Sequence, residues 1–402
     1  MTYIARIAEE RIRRLASLFP AVAVTGPRQS GKSTLLGNAF PEYRIVTFDS
    51  PQERAFFEDD PLGFMKALPD KVILDEVQKV PALFEYLKIA IDKDRTAGRF
   101  LLTGSAQFSL VKGISESLAG RCGTVSLLPF QSSESPTTPW PSLEIGGSYP
   151  ELVTREHEGS AEWYDAYIMS YIERDLRSLL NIEKLRDFRI VLGLLAARTA
   201  QELNLSSIAR ESGISEKTVA AWISVLEASY IVFLVQPYHR NLGKRLVKRP
   251  KLYFWDTGLA CRLTGIPDHD QLEKGPLAGA MFENFVAAEL SKDIAHRGTD
   301  TRLYYFRSNA GIEADFVLED ATARSLVFGE TKRRISIRPD DFKHIKALAE
   351  RARAEEPSWK VGAVVVNAGD AIHSPTSGSA IVGVGCPGGF RIESVREAAF
   401  SG

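Results

Sequence analysis

Residues 26–34 of this 402-residue chain read GPRQSGKST and follow the apolar run AVAVT. A glycine, four residues and then Gly-Lys-Ser is the spacing with which a backbone wraps phosphate oxygens. Successive N–H groups and the positive end of the next helix converge on the anion. Gly26 and Gly31 permit that path, and Pro27, Arg28, Gln29, Ser30 and Thr34 complete the loop. Lys32 supplies an ammonium for the β- and γ-phosphates, and the Ser33 hydroxyl is placed to coordinate Mg²⁺. The helix-like run TLLGNAF begins at Thr34, so the loop sits between a strand and a helix, as such a cradle requires.

A second apolar run, VILDEVQ at 72–78, ends in two acids. Asp75 would hold the magnesium through water, and Glu76 would orient the attacking water as a general base. A third run, RFLLTGS, ends in Thr103 and Ser105. Either hydroxyl can sense a γ-phosphate or simply cap the strand end. Arg121, in SLAGRCGTV, is a candidate arginine finger acting on its own or a neighbour's nucleotide, against the plainer reading of a solvated surface charge.

The elements that must position these groups follow from the pattern. Short apolar runs alternate with helical stretches up to residue 130, which predicts an α/β domain with a mostly parallel sheet. Residues 131–148 are rich in Ser, Pro, Thr and Gly and read as a linker, and 149–200 as a helical lid. Residues 201–255 contain helix, Gly-Ile-Ser turn and helix, followed by strand-like runs: a winged helix-turn-helix, with Ser206 and Ser215 as helix caps. Residues 256–402 read as a further α/β unit. A chain of this length exceeds the ~250–300 residues at which single cores stop growing.

Composition narrows the class. Hydrophobic residues make up 44% and charged residues 25%, with a formal net charge of −1, so any nucleic-acid surface has to be a local patch. Cys122, Cys261 and Cys386 are far apart and form no CxxC pair, which argues against a disulfide framework or a cysteine zinc site. The first twenty residues form a charged amphipathic helix rather than a signal peptide, and no run of ~18 apolar residues occurs. A cytoplasmic protein without membrane contact is expected.

The motifs GPRQSGKSTLL, LDEVQ, LLTGS and LAGR, in that order, with GSYPEL and YIERDL beyond them, resemble the bacterial and archaeal AAA+ ATPases that carry a C-terminal DUF4143 domain. The resemblance runs from about residue 1 to 366. It implies a P-loop AAA+ parallel-sheet core, a helical lid and winged helix, and a C-terminal α/β domain similar to restriction endonucleases of the PD-(D/E)xK type.

The C-terminal residues form a constellation of their own. Asp315 lies mid-strand in IEADFVLED, and fifteen residues later Glu330-Thr331-Lys332 ends another apolar strand. In a strand, Glu330 and Lys332 project to one side, and a hairpin would bring Asp315 beside Glu330. Two carboxylates suit a second Mg²⁺ or Mn²⁺, and Lys332 would activate bound water or steady the transition state. Glu283, in MFENFVAAEL, resembles the extra acid many such nucleases carry, and Arg307 is a candidate contact to a scissile strand. Where the family usually reads EVDF this chain has EADF, with the aspartate kept. The alternative is a strand edge whose acids pair with Arg307, Lys332 or Arg333.

Between Ala228 and Trp255 there is no Asp or Glu, yet Arg240, Lys244, Arg245, Lys248, Arg249 and Lys251 all fall there. In the wing of a winged helix these would touch DNA phosphates, with Lys217, Thr218 and Trp222 as the few base-reading side chains. The function expected is an ATP-hydrolysing protein whose nucleotide state controls a DNA-contacting, metal-dependent nuclease-like domain. The alternative is an ATP-dependent switch with an inert nuclease-like fold. Homo-oligomerisation is left open.

Overall fold

The computed structural model describes residues 3–104, 117–175, 185–239, 249–308, 310–376, 379–386 and 389–400. The chain divides into two units, the first made mainly of residues 1–129 and the second of most of the remainder.

In the first unit α1 (Ala8–Ala16) precedes β1 (Ala21–Thr25), α2 (Lys32–Ala39), β2 (Arg44–Thr47), β3 (Val72–Asp75), β4 (Phe100–Gly104) and β5 (Cys122–Ser126). All five strands are parallel, in the order β2-β3-β4-β1-β5. Strands β1, β3 and β4 are buried along their whole length. That explains why they read as unbroken apolar runs rather than alternating ones. Two short helices between β2 and β3 start at Ser50-Pro51 and Asp60-Pro61. Each cap side chain accepts a backbone N–H, and each proline takes the first helical position, where its missing donor costs nothing.

In the second unit, residues expected to be a linker are ordered and packed. Trp140–Gly146 is helical and its Glu144 is fully buried. The Arg333 guanidinium grips Glu144 through two hydrogen bonds of 2.6 and 2.9 Å and reaches Glu273 as well. Burial pushes the Glu144 carboxyl up, and the arginine opposes that shift. Arg333 is therefore committed here and pairs with neither Asp315 nor Glu330.

Helices Leu205–Ser212 and Glu216–Ala228 flank a turn at Gly213, which adopts the left-handed conformation a non-glycine resists. Asn204, not Ser206, caps the first of them, while Ser215 caps the second as expected. A three-stranded antiparallel sheet, β6 (Gln201–Glu202), β7 (Val232–Val235) and β8 (Lys251–Phe254), accompanies these helices in the order β6-β8-β7.

The C-terminal sheet contains β9 (Thr301–Arg307), β10 (Glu313–Asp320), β11 (Ser325–Lys332), β12 (Lys360–Asn367), β13 (Ile372–Thr376) and β14 (Ser379–Gly383), ordered β13-β14-β12-β11-β10-β9. Strands β9 to β11 form an antiparallel meander, and β11, β12 and β14 run parallel. The helix Lys343–Glu355 makes the crossover from β11 to β12 and seats Ile345 and Leu348 on Val317, Phe328 and Val365. Among the described residues, no helix is long and apolar enough to cross a membrane.

Removing Arg333 strands a buried carboxylate. Arg333→Ala is expected to cost about 3–5 kcal/mol, the loss typical of breaking one side of a buried pair. Urea unfolding followed by circular dichroism checks this, and Arg333→Lys should recover only part of the loss because it lacks the two-pronged fit.

Candidate nucleotide site and C-terminal carboxylate cluster

The loop at 26–34 leaves the C-terminal end of β1 and enters α2. Gly26 has φ +145°, and a Cβ there would sit 2.1 Å from the Leu127 carbonyl oxygen. Gly31, with φ +88°, is the N-cap of α2. Both glycines are thus required by the backbone path. Arg28, Gln29, Ser33 and Thr34 are exposed, whereas Pro27, Ser30 and Lys32 are buried. The Lys32 ammonium donates to the Gly26 and Pro27 carbonyls at 3.1 and 2.8 Å. Burial pulls its pKa down to about 8, with Glu76 and Asp75 pulling the other way.

Asp75, at the tip of β3, gathers three hydroxyls. Ser33 Oγ and Thr103 Oγ1 each donate to its Oδ1 at 2.5 Å, and Thr47 Oγ1 donates to Oδ2 at 3.0 Å. The strand order explains the gathering. Strand β3 lies between β2, which ends in Thr47, and β4, which carries Thr103, with β1 and its loop one strand further. Glu76 follows in a left-handed conformation, φ +58°. Its N–H donates to Thr103 Oγ1 at 3.2 Å, and its carboxylate accepts from Gln78. These hard oxygen donors suit Mg²⁺.

Two supporting residues carried no signal in the sequence. Thr47 was only the end of an apolar run. Arg6, near the start of the chain, is buried and donates to the Ser30 carbonyl at 2.9 Å and the Leu128 carbonyl at 2.7 Å, tying the loop down from behind.

Other expected residues fall elsewhere. Ser105 lies outside the described residues. Arg121 precedes β5 at the end of the sheet opposite the loop, roughly one strand length or 16 Å away. Its guanidinium is held by Asp92 at 2.7 and 3.1 Å. As a finger on its own nucleotide Arg121 is therefore excluded by the sheet's direction.

In the C-terminal sheet, Phe316 pairs with Gly329 across β10 and β11, where a Cβ on Gly329 would strike the Phe316 ring at 1.9 Å. This brings Asp315 to the Glu330-Thr331 end of β11. Asp315 Oδ2 accepts the Thr331 N–H at 2.7 Å and the Thr331 hydroxyl at 2.8 Å. Lys332 Nζ donates to Glu330 Oε1 at 2.6 Å, as two side chains on one face allow. Glu283 Oε1 accepts from Lys251 at 2.8 Å and from the Tyr253 hydroxyl at 2.7 Å. Burial, then the charge of Asp315, pushes both Glu283 and Glu330 up to about 7. Arg307 pairs with Glu313 at 3.0 Å.

The basic stretch is corrected in part. Lys251 is buried, and Trp222 is buried against Phe188, so neither faces a nucleic acid. Arg249 is exposed, and Lys217 is exposed on its helix. Arg240, Lys244, Arg245 and Lys248 lie outside the described residues.

A five-stranded parallel sheet with a glycine-lined loop after β1 and a carboxylate reaching that loop from β3 defines a P-loop ATPase. The family models agree. Residues 18–135 match "AAA domain", 140–270 "Domain of unknown function (DUF8612)" and 278–385 "Domain of unknown function (DUF4143)". An uncharacterized protein of Mycobacterium tuberculosis and one of Mycobacterium bovis are each 35% identical over 319 residues, covering 78% of this chain and 71% of the relative. The chain belongs to this family, the AAA-type ATPases with a C-terminal DUF4143 domain.

Solved structures overlap more loosely. The Walker-type ATPase PABY2304 of Pyrococcus abyssi has TM-score 0.43 and 18% identity, covering 64% of this chain and 94% of that one. AMPPCP-bound DnaA of Aquifex aeolicus has TM-score 0.27 and 19% identity, covering 55% and 86%.

Because Arg6 braces the loop through two carbonyls, Arg6→Ala should weaken ATP binding by about tenfold, equivalent to ~1.4 kcal/mol. Calorimetric titration of ATP in Mg²⁺ measures it. Unchanged affinity would show that the loop keeps its shape without the brace.

Proposed function

We propose that the chain binds ATP with Mg²⁺ at residues 26–34 and hydrolyses it, and that its nucleotide state controls a DNA-contacting C-terminal domain. The observation that carries the first half is the 2.5 Å hydrogen bond from Ser33 Oγ to Asp75 Oδ1. It puts the P-loop hydroxyl and the strand-end carboxylate on one spot, where Ser33 would hold Mg²⁺ directly and Asp75 through water. When bound, the metal neutralises charge on the phosphates. Lys32, which now rests on loop carbonyls, would turn its ammonium to the β- and γ-phosphates. Glu76 would orient the attacking water after exchanging Gln78 for it, with Ser105 as γ-phosphate sensor. Arg121 would serve only a neighbouring copy of the chain, after release from Asp92.

The second half rests on the acid-free stretch holding Arg240, Lys244, Arg245, Lys248 and Arg249, and on the adjacent Glu330 and Lys332, the acid and base of a nuclease-like strand. A metal would complete that role only once Glu283, Asp315 and Glu330 gave up the hydrogen bonds they now accept. One observation favours the second reading, an ATP-driven switch with an inert nuclease-like fold: all three carboxylates already accept hydrogen bonds from their own chain.

Lys32→Ala should abolish ATP binding in calorimetry; unchanged affinity would refute the phosphate loop. Glu76→Gln should bind ATP normally and turn over about 100-fold more slowly. Incubation with plasmid and single-stranded DNA in Mg²⁺ or Mn²⁺, with and without ATP, separates the C-terminal readings. Cleavage lost in Lys332→Ala supports the nuclease, and none in an active ATPase assigns the switch.

A further inference from the structure

The carboxylates of Glu283, Asp315 and Glu330 do not fit a divalent cation as they are folded. Among the described residues no three acidic, histidine or cysteine side chains are grouped to hold one. Each acid has its donor already: Lys251 and Tyr253 on Glu283, Thr331 on Asp315, Lys332 on Glu330. We infer that the Lys251 ammonium is the resident counter-cation of this cluster and holds it closed to divalent metal. The inference rests on reading the three acids as one site, as above.

Lys251 is an unusual residue for that position. It stands among the basic residues of the wing, yet its side chain is only 9% exposed and its ammonium lies 2.8 Å from Glu283 Oε1. A lysine is buried at high cost unless a carboxylate compensates it. Glu283 supplies the direct contact, the charge of Asp315 adds attraction, and the Tyr305 ring lies 5.4 Å from Nζ. Lys251 on Glu283 and Lys332 on Glu330 already offset charge on two of the three acids. A divalent ion entering beside the ammonium would meet repulsion and would have to take Glu283 away from two donors.

The backbone fixes where the ammonium sits. Strand β8 pairs Lys251 with Val235 on one side and Glu202 on the other. Asn284, next to Glu283 on the helix Ala278–Arg297, locks the same strand. Its Oδ1 accepts the Phe254 N–H and its Nδ2 donates to the Phe254 carbonyl, both at 2.8 Å. The ammonium therefore leaves the cluster only by bending its own stem away or by movement of a strand of the three-stranded sheet. Divalent-metal entry to the C-terminal sheet is in this way tied to that smaller sheet.

The test uses the full chain without nucleotide, carrying Ser33→Ala so that the phosphate loop contributes no metal site. Mn²⁺ binding is followed by electron paramagnetic resonance. In this background no stoichiometric binding is expected up to about 1 mM, the range of weak oxygen-ligand sites. Adding Lys251→Met should create one Mn²⁺ site at least about tenfold tighter than that limit, and adding Glu283→Gln should remove it again. Lys251→Arg, which keeps the charge, should stay closed. If Lys251→Met lacks a cooperative thermal transition, Lys251→Gln takes its place. One Mn²⁺ bound with Lys251 intact, and lost on Glu283→Gln, would overturn the lysine's role while leaving the cluster as a metal site. No binding in any folded neutral variant would sink the cluster reading and the inference together. Neither result depends on DNA cleavage.

Discussion

A carboxylate at the end of a buried strand must find donors within reach, and Asp75 finds them on three other segments. Its oxygens take the hydroxyls of Ser33, Thr47 and Thr103, which come from the phosphate loop, β2 and β4. The parallel sheet order makes this convergence a matter of geometry. Strands that run the same way end at the same edge, so their last residues meet there. The loop after β1, the acid after β3 and the hydroxyl on β4 then share one site without any of them being near another in sequence.

The second unit answers the same electrostatic requirement with charge pairs. Glu144 is fully buried and gripped by Arg333. Lys292 is buried with Glu289 at 3.2 Å and also donates to Ser148 Oγ and the Phe130 carbonyl at 3.0 Å. Asp256 accepts the Ser148 N–H and hydroxyl at 2.8 and 2.9 Å and the Tyr164 hydroxyl at 2.5 Å. These contacts give GSYPEL a structural meaning. Gly147 lies so close to Tyr164 that any Cβ would overlap its hydroxyl, and Ser148 is a node of a buried polar network. A half-satisfied network of this kind is costly, so its members come as a set.

Most of the nucleotide site was legible because its chemistry is local. The loop's glycines, lysine and serine are neighbours in sequence, and the acids sit at the end of an apolar run. Arg6 and Thr47 were missed because an arginine in a charged N-terminal stretch, just ahead of α1, and a threonine at a strand end look like ordinary surface residues. The wing was misread at Lys251 for a related reason. A run of cations without acids suggests a solvent face, and nothing in the run itself shows that one lysine turns inward to an acid 32 positions away. Trp222 was misplaced because a helix bears both a core face and an outer face, and a lone aromatic does not say which it occupies. Residues 131–148 looked like a linker by composition, although Trp140, Leu143 and Glu144 carry the packing and pairing that order them.

The sequence by itself determined the phosphate loop, the strand that ends in Asp75-Glu76, the alternation that makes a parallel sheet, and the E-x-K strand near the end. Each is written in adjacent residues, where side-chain type and backbone conformation act over a few bonds. The tertiary structure alone decided which charges meet: Arg333 with Glu144, Arg121 with Asp92, Lys251 with Glu283. A charge pairs with whatever burial brings within a few ångströms, and that distance belongs to the folded chain rather than to its order.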